Sequence, residues 1–143
     1  MLRNSGIFQK EYIALVDGII EKQLQVIREP IARKQSSIIE RCVNNFGQPS
    51  ITHYEVIEQL EINDTKISKV KCILETGRTH QIRVHMSYIN HPLLGDDLYG
   101  GNTNLISRQA LHSYKISFIH PITKQIVIYK APLPNDLLTF EFC

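Results

Sequence analysis

The apolar residues change period at Gly77, and that change constrains the fold more than any other feature of the chain. Before it, residues 50–62 alternate in part (Ile51, His53, Tyr54, Val56, Ile57), and residues 67–75 carry Ile67, Val70, Ile73 and Leu74. A period of two places successive side chains on opposite faces of a strand. Asn63-Asp64 between the two segments is a turn pair, so together they predict an antiparallel hairpin. After Gly77, Ile82, Met86 and Ile89 recur at helical spacing within residues 79–90. Thr79 stands where a hydroxyl can cap the free N–H groups of that helix, and Pro92 stands where it must stop. Residues 74–85, LETGRTHQIRVH, thus join a strand, a glycine turn and a helix start.

The rest of the chain is richer in strands than in helices. Residues 10–20 (KEYIALVDGII) read as a strand from their Tyr, Val and Ile content. Residues 21–48 read mostly as loop, with Pro30, a basic cluster at Arg28, Arg33 and Lys34, and Gly47 before Pro49. Residues 93–105 are a loop, and residues 108–119 and 124–130 form a second hairpin around His120-Pro121. Ala131-Pro132-Leu133-Pro134 breaks regularity before a short apolar tail through Phe142. About five strands to one helix predict an α+β fold, a mixed, largely antiparallel sheet with few helices. Strand–helix–strand alternation, a Gly-x-Gly-x-x-Gly run and a phosphate loop are all missing from the sequence, which argues against a doubly wound nucleotide fold.

A length of 143 residues suits one domain, and 43% apolar with 21% charged residues suits a globular one. The net charge of +2 is mildly basic and does not by itself indicate a nucleic-acid partner. Cys42, Cys72 and Cys143 are odd in number and widely spaced, which disfavours a disulfide framework or a structural zinc site and fits a reducing cytoplasm. No apolar run reaches membrane-spanning length, and residues 1–6 lack the apolar core of a secretory signal, so a cytoplasmic location with no membrane partner is expected.

Helical geometry sorts the histidines and arginines of the central motif. At about 100° per residue, Ile82, His85, Met86 and Ile89 share one face while His80, Arg83 and Ser87 gather on another. His85 therefore reads as a hydrogen-bonded core histidine. His80 is open between a cap-region residue and an RNA contact. Arg83 opposes the helix dipole in the first turns, a penalty that a nearby carboxylate or phosphate would remove, although on the residues alone an ordinary solvated arginine is the favoured reading. Arg78, beside a tight turn, suits phosphate but is also an ordinary surface arginine. Tyr12 is mid-strand, where a tyrosine is usually half-buried and where its ring could stack on a nucleobase. Asp96-Asp97 reads as turn chemistry, since adjacent residues point apart.

Taken in order, these segments resemble the RluA-type RNA pseudouridine synthases. The blocks are Lys10-x-Tyr12-x-Ala14-Leu15-Val16-x-Gly18, Pro30-Ile31-x-Arg33, Gly47-x-Pro49-x-x-Thr52-x-Tyr54, residues 74–85, His91 to Asp96, Tyr99-Gly100, residues 108–112, His120-Pro121 and residues 131–134. The resemblance implies a pseudouridine-synthase-like fold and isomerisation of uridine in structured RNA, ribosomal RNA first, without metal or organic cofactor. In that family an aspartate attacks a nucleoside flipped from its stack. By resemblance, Tyr12 packs against the flipped base and Arg83 pairs with the aspartate, with Arg78 and His80 as RNA contacts.

One family segment is missing from these residues. No His-Arg-Leu-Asp-like sequence occurs, and Asp17, Asp64, Asp96, Asp97 and Asp136 all sit in other contexts. The expectation is therefore that residues 1–143 are the C-terminal portion of a catalytic domain, incomplete and inactive alone, with the nucleophile-bearing portion and any S4-like domain absent. The alternative is a non-catalytic RNA-binding remnant. An incomplete sheet would expose strand 10–20 as an unpaired edge, favouring self-association or a complementing N-terminal fragment.

Overall fold

The computed structural model describes residues 7–138, so the apolar tail through Phe142 and the N-terminal six residues lie outside the described part. Eight strands and two helices follow in the order β1 (Ile7–Asp17), β2 (Leu24–Ile27), β3 (Ile31–Arg33), β4 (Arg41–Val43), β5 (Thr52–Ile62), β6 (Thr65–Leu74), α1 (Gln81–Tyr88), β7 (Leu111–Ile119), β8 (Ile126–Lys130) and α2 (Asn135–Leu138), the last a single turn. Six strands form one sheet in the order β2-β5-β6-β1-β7-β8, and β3 with β4 makes a separate two-stranded arm. Every strand pairing in both sheets is antiparallel, which bears out the expected α+β class.

The expected hairpin is β5–β6. Asn63 and Asp64 both adopt positive φ (50° and 65°), the geometry a two-residue turn needs to match strand twist. A register shift between Val56 and Glu58 inserts a bulge into β5. Its consequence is a change of face: Tyr54 joins the core on the helix side of the sheet, whereas Leu60 joins Leu15 and Ile67 on the other side. The second hairpin, β7–β8, also forms as the sequence predicts.

Two expectations are corrected. Strand β1 is not an exposed edge. It pairs with β6 through Glu11–Asp17 and with β7 through Ile7–Ala14, so both of its neighbours come from this chain. The reason is that the chain returns twice to the same strand, once by the β5–β6 hairpin and once by the loop before β7. The edges are β2 and β8, and exposed apolar side chains lie on β8, at Ile126, Ile128 and Tyr129. Residues 21–48, expected to be mostly loop, hold three short strands, each of three or four residues, too brief to show a period.

The core on the helix side joins Ala14, Val16, Val70, Cys72 and Leu74 of the sheet to Ile82 and Met86 of α1. Burial pushes the Cys72 thiol up to about 12, so it behaves as a small apolar group. A smaller core opposite gathers Leu15, Leu60, Ile67, Leu94, Ile106 and Ala110. Farther along that second face, buried Glu11 carries Lys115 at 3.1 Å and Lys71 at 3.8 Å.

His85 is the core histidine that its position on the apolar face predicts, with no solvent exposure. Its Nε2 lies 2.8 Å from the Glu29 carbonyl oxygen, which can only accept, so Nε2 carries the proton. Nδ1 then accepts from the Thr52 hydroxyl at 2.8 Å, and Thr52 Oγ1 accepts in turn from Gln81 Nε2 at 2.9 Å. Burial lowers the His85 pKa below the ordinary 6.5, and His80 is lowered for the same first reason. As pH falls through 6.5 the unfolded chain takes up protons that the folded chain refuses. This stabilisation is therefore complete above 6.5 and is lost as pH falls below it. Melting temperatures should decline from about pH 7 to about pH 5. His85→Gln should lower the melting temperature at neutral pH and flatten that decline; an unchanged slope would assign the effect to other groups.

Candidate active site

The site is built where the polar face of α1 meets the loop after it. His80, Arg83 and Ser87, three and four residues apart, all contact one turn. The Ser87 hydroxyl donates to the Tyr99 carbonyl at 2.9 Å. The Arg83 guanidinium grips Asp96 along one edge, Nε to Oδ2 and Nη2 to Oδ1, each at 2.9 Å. Its carbon also lies 5.0 Å from the centre of the Tyr99 ring, within cation–π range. The Tyr99 hydroxyl sits 2.7 Å from His80 Nδ1 and accepts the Arg41 backbone N–H at 2.9 Å. With its oxygen accepting from Arg41, the hydroxyl proton is available to His80 Nδ1, and burial together with the Arg83 and Arg41 charges lowers the imidazole pKa.

Asp96 is 1% exposed and Arg83 15%, so this is a nearly dry, bidentate pair. The hydrogen bond to Asp96 raises the Arg83 pKa above its ordinary value. An acid also removes the penalty of a cation in the first turn of a helix, worth about 0.3–1 kcal/mol. Asp97, its neighbour, points to solvent. Glycines make this loop possible. Gly95 has φ +75°, and a Cβ there would lie 1.9 Å from the Arg108 carbonyl oxygen. A Cβ at Gly101 would lie 1.9 Å from the Leu93 carbonyl oxygen. The loop folds back on itself at these two points, and Asp96 is delivered beneath Arg83.

The helix start differs from the expected one. His80, not Thr79, occupies the cap position, in the left-handed region (φ 57°), and makes no side-chain cap bond. The side chain of Gln81 instead ties the turn that precedes the helix. Its Oε1 accepts from the Arg78 N–H at 3.0 Å and the Thr76 hydroxyl at 2.7 Å, while its Nε2 donates to the Ile51 carbonyl at 2.9 Å. The turn 76–81 is thereby tied to the start of β5.

Tyr12, Arg78, His80 and Arg83, the four residues singled out in the sequence, line one cavity of about 250 Å³, together with Leu74, Gln81, Ile82, Gln109 and Leu111. Tyr12 reaches it from β1, half-buried, and burial raises its phenol pKa. Arg78 donates from Nε to the Pro49 carbonyl at 3.0 Å. No lining residue is a carboxylate. Asp96 and Tyr99 were the residues that sequence reasoning missed. The signal for Asp96 was present in Arg83's need for an acid, but nothing in the spacing of thirteen residues said which acid would return.

A family model described as RNA pseudouridylate synthase matches residues 1–88. The chain belongs to the RNA pseudouridylate synthase family. It is 46% identical to "Uncharacterized RNA pseudouridine synthase YjbO" of Bacillus subtilis, over 94% of this chain and 46% of that protein. It is 38% identical to "Ribosomal large subunit pseudouridine synthase D" of Haemophilus influenzae, over 90% of this chain and 43% of the relative. Among solved structures, "Human RNA Pseudouridylate Synthase Domain Containing 1" superposes with a TM-score of 0.79 at 28% identity, covering 92% of this chain and 56% of that one. The chain therefore spans about half the length of the curated relatives it matches.

Breaking the Arg83–Asp96 pair tests how far the site depends on it. Asp96→Ala leaves a largely buried guanidinium without its acid and should cost about 3 kcal/mol in urea denaturation. Asp97→Ala, one residue away and exposed, should stay within about 0.5 kcal/mol. Equal losses at the two positions would refute the pair as the anchor of the loop.

Proposed function

We propose that this chain carries the base-binding and arginine-bearing part of a pseudouridine synthase acting on structured RNA, ribosomal RNA first, with the nucleophilic aspartate contributed from outside these 143 residues. The observation that carries the reading is the cavity itself, which brings Tyr12 and Arg83 together and contains no carboxylate. Family membership supports the chemistry. In this reading the Tyr12 ring packs against a uracil turned out of its stack. Arg83 has spent Nε and one arm on Asp96; Nη1 makes no hydrogen bond among the described residues. Nη1 is then the group that meets the incoming aspartate, keeping it ionised as a nucleophile must be. Arg78 and His80 border the same space and contact the RNA. No cofactor is needed, because the reaction breaks the glycosidic bond and remakes a carbon–carbon bond within one nucleoside. A cytoplasmic location is part of the proposal.

The missing carboxylate also supports the second reading, in which residues 1–143 alone bind RNA without modifying it. The two readings agree on the first outcome and part on the second. Incubated alone with ribosomal RNA transcripts, the chain should yield no pseudouridine in chemical mapping. Turnover lost on changing one of its own aspartates would overturn the external nucleophile. Supplied with an N-terminal fragment bearing a His-Arg-Leu-Asp-like segment, the chain should form pseudouridine, and Arg83→Ala should lower the rate by at least about a hundredfold. RNA binding with no turnover under that supply would favour the non-catalytic reading.

A further inference from the structure

A second concavity, about 410 Å³, opens beside the candidate active site and shares Arg78 with it. It runs between the β3–β4 arm and the turn at Gly77, and its lining includes Arg33, Arg41, Gln48 and Thr79 but no carboxylate. The charges there are unusual for a chain whose net charge is only +2. The Arg33 guanidinium has no ion-pair partner among the described residues. Arg41 uses Nη1 on the Ile38 and Ile39 carbonyls, and Arg78 uses Nε on the Pro49 carbonyl, so neither is neutralised by an acid. By contrast, Lys34 on the same arm is paired with Glu40 at 3.1 Å. Three guanidinium groups around one groove, without an anion of the protein's own, call for anions from outside.

At the rim stands Phe46, 97% exposed. A lone exposed aromatic is ordinary, but this one is held on a braced turn. Its N–H donates to Asn44 Oδ1 at 2.8 Å, and the Gly47 N–H to the Asn44 carbonyl at 2.8 Å. Gly47 lies so close to β3 that a Cβ would sit 2.5 Å from the Ile31 carbonyl. The arm is also fastened to the active site, since Arg41 N–H bonds the Tyr99 hydroxyl, which bonds His80. An exposed aromatic ring carried on a braced turn next to unpaired arginines is the combination that holds single-stranded nucleic acid: phosphates on the cations, a base on the ring.

We infer that this groove binds a single-stranded segment of RNA next to the nucleotide held in the Tyr12 cavity, with Arg33, Arg41 and Arg78 on its phosphates and Phe46 stacked on one of its bases. The inference rests on the RNA reading above and extends it to a second site. Arg78, common to both concavities, would hold the phosphate where the strand passes from one to the other.

The test is fluorescence anisotropy with the full chain and an end-labelled single-stranded RNA oligonucleotide containing uridine, titrated at rising salt. Arg33 and Phe46 are exposed, so Arg33→Gln and Phe46→Ala should melt like wild type. Arg33→Gln should weaken binding several-fold and reduce the salt slope by about 0.7. Phe46→Ala should weaken it by about tenfold with the slope unchanged, and Phe46→Tyr should restore it. Affinities of Arg33→Gln and Phe46→Ala both within twofold of wild type would overturn the groove. If Tyr12→Ala still weakened binding in that case, the active-site reading would stand without it. Equal affinity for the same sequence as a duplex would overturn the single-strand assignment. No binding by wild type at low salt would overturn the groove and the RNA reading together.

Discussion

An arginine in the first turn of a helix, almost out of water, needs an anion, and this structure is arranged so that Arg83 has one. The acid comes from a loop beyond the helix end, and the loop must reverse tightly to bring it back. Gly95 and Gly101 make the reversal possible because their backbones approach carbonyl oxygens at distances no side chain allows. Once Asp96 is in place the rest of the loop is positioned: Tyr99 lies against the guanidinium, its hydroxyl reaches His80 and Arg41, and its carbonyl receives Ser87. One ion pair thus fixes the helix, the loop and the β3–β4 arm relative to one another. Removing either partner would therefore be felt well beyond the contact itself.

Strand β1 supplies the other frame of reference. With β6 on one side and β7 on the other, its ladder is satisfied along most of its length, and its alternation divides the molecule. Ala14 and Val16 meet the helix side, while Leu15 meets the opposite core. Tyr12 belongs to the helix-side set but lies toward the end where the core gives way to the cavity. Its position is a packing compromise: the residue packs in part against the apolar core and in part lines the cavity. A tyrosine on a central strand is placed more rigidly than one on a loop, which suits a residue proposed to receive a base.

What could be read in the sequence follows from which forces are local. The long hairpins announce themselves through period and turn chemistry, as Asn63-Asp64 does with two positive φ values. The polar triad His80, Arg83 and Ser87 follows from helical geometry alone, and its burial of His85 on the opposite face follows with it. The order of strands does not, because pairing β1 with both β6 and β7 depends on long-range closure that no window of residues records. The same limit hid the short strands of residues 21–48, whose pairing is set by contacts such as Ile31 with Gln48. The expected cap position also differs where tertiary bonds enter: Gln81, the first helical residue, reaches Ile51 and Thr52, residues thirty and twenty-nine positions earlier, which no local cap preference records.

The arrangement of donors around Arg83 lets one guanidinium hold the structure and keep donors over for the chemistry proposed above. A guanidinium offers five N–H groups in a rigid plane, and a bidentate carboxylate uses only two. The pair with Asp96 takes the Nε–Nη2 edge, leaving the Nη1 end of the same plane uncommitted. The guanidinium is planar and delocalised, and its carbon lies over the Tyr99 ring at 5.0 Å, so the bidentate pair and the ring together hold the plane. In the proposed function, a carboxylate entering the Tyr12 cavity would meet a guanidinium already held by Asp96. An arginine anchored only by solvent would have to be ordered at that moment, losing side-chain entropy of about 2 kcal/mol. Asp96 lends the cavity a fixed cation while keeping its own charge out of it.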